Sequence, residues 1–150
     1  MDELHGLYFE DLEVGMTAVL SRTVTESDIV LFAGVTGDTN PVHLDQNFAE
    51  QTIFKGRIAH GVLAAGLISA VFGTKLPGAG CIYVDQNLKF RAPVMIGDTV
   101  VARVTVKELI PGKRRAIFDT RCLVGDRVVV EGDATLMVKN RPTSKAQAAE

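Results

Sequence analysis

With 150 residues, 47% of them hydrophobic and 23% charged, the sequence can bury one substantial core and is too short for two comfortable domains. Its formal net charge of -2, without a block of like charge and without tryptophan, argues against nucleic-acid and anionic-membrane partners. The acidic start, MDELHGLYFEDLEVG, has no apolar centre and is not expected to be a signal peptide.

In chain order, TAVLSRTV (Thr17 to Val24) is the first strand candidate. The next segment, TESDIVLFAGVTGD, predicts a helix. Thr25 and Asp28 have capping-box spacing, and Ile29, Phe32, Ala33 and Thr36 share one face. Gly37 suits a left-handed helix end, so Asp38 follows a fixed backbone geometry. TNPVHLD reads as a loop, and QNFAEQTIF as one or two helical turns. KGRIAHG then leads into the longest apolar stretch, IAHGVLAAGLISAVFGTKL, bounded by Arg57 and Lys75. Three glycines and slightly short length make it a poor membrane span. Residues 61 to 75 are apolar or small on nearly every face, which predicts a fully buried helix. Ala64, Ala65, Gly66, Ser69 and Ala70 would let other backbone approach closely.

The remainder is strand-like. CIYVDQNLKF is expected to put Ile82, Val84, Leu88 and Phe90 on one face. TVVARVTVKELI sets Val100, Ala102, Val104 and Val106 against Val101, Arg103, Thr105 and Lys107. RRAIFDTRCLV groups Ala116, Phe118, Thr120 and Cys122. Gly125-Asp126 signals a two-residue hairpin, after which Val128, Val130, Ala134, Leu136 and Val138 fall together. Cys81 and Cys122 lie in separate apolar runs without a CxxC pair and read as buried reduced thiols. The pattern predicts a single α+β domain over residues 1–139, a long helix wrapped by a curved antiparallel sheet. A polar, disordered tail is expected over residues 140–150.

The chemistry concentrates in GDTNPVHLD. Pro41 fixes its own φ and turns Asn40 out of the helical region, so Asp38 and His43 can meet. A carboxylate and an imidazole around one water form an acid–base device. The competing reading is turn chemistry alone. A metal site from Asp38, His43 and Asp45 would have a weak, mixed ligand set. His60 reads as a capping or core histidine. Gly61 opens the apolar helix, where free N–H groups make an oxyanion hole, or else it serves tight packing.

FAGVTGDTNPVHLD, followed by FKGRIAHGVLAAGLIS, resembles the MaoC-like dehydratases, and most closely the (R)-specific enoyl-CoA hydratases. The resemblance runs over roughly residues 8 to 138. It implies a hot-dog fold and reversible hydration of trans-2-enoyl-CoA to the (R)-3-hydroxyacyl-CoA. It also implies that Asp38 and His43 are catalytic and that the Gly61 N–H holds the thioester oxygen. Asn40 would shape the loop, and Ser69 would lie near the catalytic aspartate. The substrate is a coenzyme A thioester, and neither metal nor redox cofactor is needed. Acyl carrier protein is the other carrier option. A hot-dog acyl-CoA thioesterase and a non-catalytic acyl-CoA binding module are the alternatives in kind. Lys89 and Arg91 are candidates for the nucleotide end of coenzyme A. A homodimer closed through CIYVDQNLKF is expected, because an open sheet edge is a liability. The expected location is the cytoplasm.

Overall fold

The computed structural model describes residues 2–143. Six strands form one antiparallel sheet: β1 (Thr17–Thr23), β2 (Ile82–Gln86), β3 (Lys89–Phe90), β4 (Thr99–Ile110), β5 (Arg115–Val124) and β6 (Arg127–Met137). Their order is β1-β4-β5-β6-β2, and β3 also pairs with β6. Four helices accompany them: α1 (Glu26–Thr36), α2 (Pro41–Leu44), α3 (Gln46–Glu50) and α4 (Gly61–Thr74). This is the α+β hot dog, with α4 laid across the sheet.

Alternation sets which strand faces meet the helix. Val100, Ala102, Val104 and Val106 are buried on β4, as are Ala116, Phe118, Thr120 and Cys122 on β5. The hairpin turns at Gly125, whose φ of 58° lies in the left-handed region. One departure follows the turn. The β5–β6 register shifts between Cys122 and Leu123, so that Val129 bulges out of the pairing. Val129 and Val130 are therefore both buried, whereas Val128 is only half-buried. Opposite these strands, Ala64, Ile68, Val71 and Phe72 form the buried face of α4. Phe72 meets Phe118 edge-on, with ring centroids 4.9 Å apart.

Two expectations about apolar faces change. CIYVDQNLKF does not alternate through its length. A register shift between Tyr83 and Asp85, and the break before β3, turn Leu88 inward while Ile82, Val84 and Phe90 stay exposed. At that break the backbone comes close to β6, where an added Cβ on Gly132 would lie 1.9 Å from the Asn87 carbonyl oxygen. Nor is α4 buried all round. Val62 is 60% exposed, and Gly66, Ser69 and Gly73 continue the same open stripe. A methyl group at Gly66 or Gly73 would meet nothing within 4 Å, so within one chain no backbone approaches there.

Both thiols are free. Burial pushes the Cys122 thiol up to about 12, which makes it inert. No helix among the described residues is long and apolar enough to cross a membrane. Arg141 pairs with Asp11 and stacks over the Tyr8 ring at 4.9 Å. Residues 144–150 lie outside the described residues.

Candidate active site

Local sequence fixes the approach to the site. The Thr25 hydroxyl accepts the Asp28 N–H, and the Asp28 carboxylate accepts the Thr25 N–H, which closes the capping box of α1. Arg22 beside Asp28, together with that N–H, holds the carboxyl below the usual range. At the other end Gly37 takes φ 76°, and its N–H reaches the Ala33 carbonyl. Asp38 comes next. Its N–H donates to the Thr36 hydroxyl, and its Oδ1 accepts the Asn40 N–H at 3.3 Å. This short side-chain turn leaves the second carboxylate oxygen available.

The expected loop is instead a one-turn helix. Asn40 caps α2 by accepting the Val42 N–H, and Pro41 occupies the first helical position. His43 thereby points inward and is only 8% exposed. Its Nδ1 lies 2.8 Å from the Ile58 carbonyl oxygen. A carbonyl can only accept, so Nδ1 carries the proton and Nε2 keeps the lone pair. Asp45 caps α3 by accepting the Phe48 N–H, and it stands outside the cluster.

His60, and not Asp45, joins Asp38 and His43. It is 2% exposed, stacks on His43 at 3.9 Å and donates from Nε2 to the Asp38 carbonyl oxygen at 2.9 Å. One nitrogen from each imidazole and one Asp38 carboxylate oxygen lie within 4.8 Å of one another. A single water spans such a gap with two hydrogen bonds of ordinary length. A metal ion fits less well. The rings are stacked only 29° from parallel, so their in-plane lone pairs do not converge on one point. His60 Nδ1 is buried and has no partner among the described residues. Such an orphan costs about 1–3 kcal/mol, which marks His60 as more than filler.

Gly61 begins α4 directly after His60. As the first helical residue, its N–H has no intrahelical acceptor. An added Cβ would lie 2.7 Å from the Phe90 ring, so a larger residue here would force that ring to move. Gly61 lines an apolar cleft of about 410 Å³, together with Ala64, Phe90, Arg91 and Val94 among others. Arg91 is paired with Glu131 at 2.6 Å, and Lys89 is exposed on β3. Ser69 lies nine residues beyond His60 on α4, roughly 13 Å further along the helix axis, on the open stripe.

Two contributors escape a reading of the sequence. His60 reads in the sequence as a cap or core residue, yet it touches both Asp38 and His43. Arg57 donates from Nε to the His43 carbonyl at 2.6 Å and forks onto Glu26. A basic residue three positions before His60 was the one visible signal, and its partners lie 14 and 31 residues away.

The chain is similar to known proteins. An (R)-specific enoyl-CoA hydratase of Rhodospirillum rubrum is 57% identical over 140 residues, covering 93% of this chain and 97% of the relative. A 3-hydroxybutyryl-CoA dehydratase of Methylorubrum extorquens is 55% identical over 94% of this chain and 90% of its own length. Among solved structures, unliganded R-hydratase PhaJ1 of Pseudomonas aeruginosa superposes with a TM-score of 0.86. It is 42% identical and covers 92% of this chain and 89% of its own. The family model for the MaoC like domain matches residues 11–130, and the chain belongs to that family.

Proposed function

We propose that the chain adds water reversibly across the double bond of a trans-2-enoyl-CoA, giving the (R)-3-hydroxyacyl-CoA. The observation that carries this reading is the Asp38 carboxylate and His43 imidazole within one water's span, next to the helix N-terminus at Gly61. Hydration is redox-neutral, and water supplies every added atom. The thioester carbonyl accepts the Gly61 N–H, which draws electron density from C3. Asp38 and His43 hold the water, and its oxygen attacks C3. Its proton passes to the pair, and one proton returns to C2 as the enolate-like charge collapses. The tautomer set by Ile58 suits this role, because it leaves Nε2 free to accept. Asp38 and His43 lie within reach of the same water, and the pair together serves as the base. Asn40 fixes the turn that presents both. The (R) configuration and coenzyme A as carrier follow the names of the relatives at 57% and 55% identity.

Crotonyl-CoA tests the reading directly. Hydration removes the enoyl absorbance and releases no thiol. Thiol release would identify a thioesterase instead, and binding with neither change would identify a non-catalytic module. Faster turnover of the crotonyl group on acyl carrier protein than on coenzyme A would reassign the carrier.

The protein is proposed to act as a homodimer. Strand β2 is a sheet edge with Ile82, Tyr83 and Val84 exposed. The open stripe of α4 and the exposed Asp38 need cover if the reacting water is to be isolated. A two-fold contact along β2 would supply it, with Ser69 on the covered face. Analytical ultracentrifugation is expected to give twice the mass of one chain, and a monomer at working concentration would refute the dimer. The unpaired thiols suit a cytoplasmic location.

A further inference from the structure

We propose that Arg57 is a positioning residue for this reaction, holding His43 in register with Asp38. The inference rests on the reading of Asp38 and His43 as the catalytic pair. It begins with the size of α2. Four residues make one turn, far below the length at which a helix holds itself together. The carbonyls at its C-terminal end have no intrahelical donors. His43 therefore owes its place to contacts from outside the helix.

Two consecutive residues supply them. The Ile58 N–H donates to the Val42 carbonyl at 3.3 Å, and the Ile58 carbonyl accepts from His43 Nδ1 at 2.8 Å. Arg57 adds the third grip, from Nε to the His43 carbonyl at 2.6 Å. Its other two nitrogens fork onto the Glu26 carboxylate at 2.8 and 2.9 Å. Glu26 is the first residue of α1, and Asp38 stands just past the other end of that helix. One planar guanidinium thus joins the helix that delivers Asp38 to the turn that carries His43. The Arg57 side chain is only 14% exposed, whereas Glu26 is 55% exposed, so the bond to the His43 carbonyl is better shielded from water than the fork onto Glu26. Its charge also sits where the C-terminal carbonyls of α2 concentrate negative potential. A lysine has one ammonium and cannot span both partners in one plane.

Misplacing a catalytic group by 1 Å can cost about 100-fold. The test measures kcat and KM on crotonyl-CoA for Arg57→Ala and Arg57→Lys, with Asp38→Asn alongside. Arg57→Ala is expected to lose about 10- to 100-fold in kcat with KM within about threefold of the wild type. Arg57→Lys should recover little of it. Millimolar ethylguanidinium should restore part of the Arg57→Ala activity and none of the Asp38→Asn activity. The inference is overturned if kcat of Arg57→Ala stays within about threefold of the wild type, if the loss resides in KM, or if ethylguanidinium restores nothing. Should Arg57→Ala fail to fold, Glu26→Gln decides. It leaves the arginine in place and removes the anion that anchors it. A kcat loss of about fivefold or more supports the clamp, and a smaller one overturns it. Wild-type activity in Asp38→Asn would instead refute the catalytic pair itself, a result that the Arg57 variants alone cannot produce.

Discussion

Replacing Asp38 by Asn is expected to leave a folded protein that hydrates crotonyl-CoA roughly 10²–10⁴-fold more slowly. The fold should survive because the amide oxygen can still accept the Asn40 N–H that closes the turn. The loss is chemical, since an amide cannot take a proton from water. His43→Gln should lose a similar factor, as it removes the Nε2 lone pair left open by the bond to Ile58. The double variant should be little worse than the worse single one, because both groups act on one water. KM should change less than kcat, since the Gly61 cleft rather than the pair holds most of the thioester. Asp45→Asn is the control. Asparagine caps a helix as well as aspartate, so α3 and the turnover rate should both be retained. The experiment requires kcat and KM for all four variants, with circular dichroism to verify folding. A folded Asp38→Asn protein hydrating at close to the wild-type rate would return the segment to a turn without chemistry.

Much of this was legible in the sequence because the relevant signals are local. The capping box of Thr25 and Asp28, the left-handed Gly37 and the alternation through Val100–Val106 each depend on residues a few positions apart. Asp38, Asn40 and His43 share that locality, and their meeting follows from one proline and one cap. What could not be read depends on other elements. Arg57 matters through Glu26 and the His43 carbonyl, and no spacing rule connects residues 26, 43 and 57. His60 looks like any core histidine until its ring is seen against His43. The helix misreading has a different cause. Hydrophobicity on every face of a segment does not say which faces the rest of its own chain covers. Within one chain the Val62–Gly73 stripe stays open. Ser69 lies on that stripe.

Phe118→Ala is the opposite kind of lesion, expected to cost stability and to spare chemistry. Phe118 is fully buried on β5 and meets Phe72 of α4 edge-on at 4.9 Å. Its ring is one of the two largest fully buried side chains and links the sheet to the central helix. Ala116 and Ala134, its neighbours on the same face, are already small. Removing a buried phenyl ring costs about 3–5 kcal/mol, since a cavity persists after the lost transfer energy is counted. Whole domains are stable by only about 5–15 kcal/mol, so this one change consumes a large part of the margin. At this chain length the melting temperature should fall by roughly 6–20 °C at fixed protein concentration. The reacting groups sit at the N-terminal end of α4, whereas Phe72 lies eleven residues beyond Gly61, about 16 Å along the axis. Turnover per folded site, measured well below the new midpoint, should therefore stay within about threefold of the wild type. Calorimetry and kinetics on the same preparation separate the two effects. A variant that melts normally but has lost turnover would mean that the sheet side of the helix takes part in the chemistry. The separation of a supporting core from an acid–base turn would then be wrong.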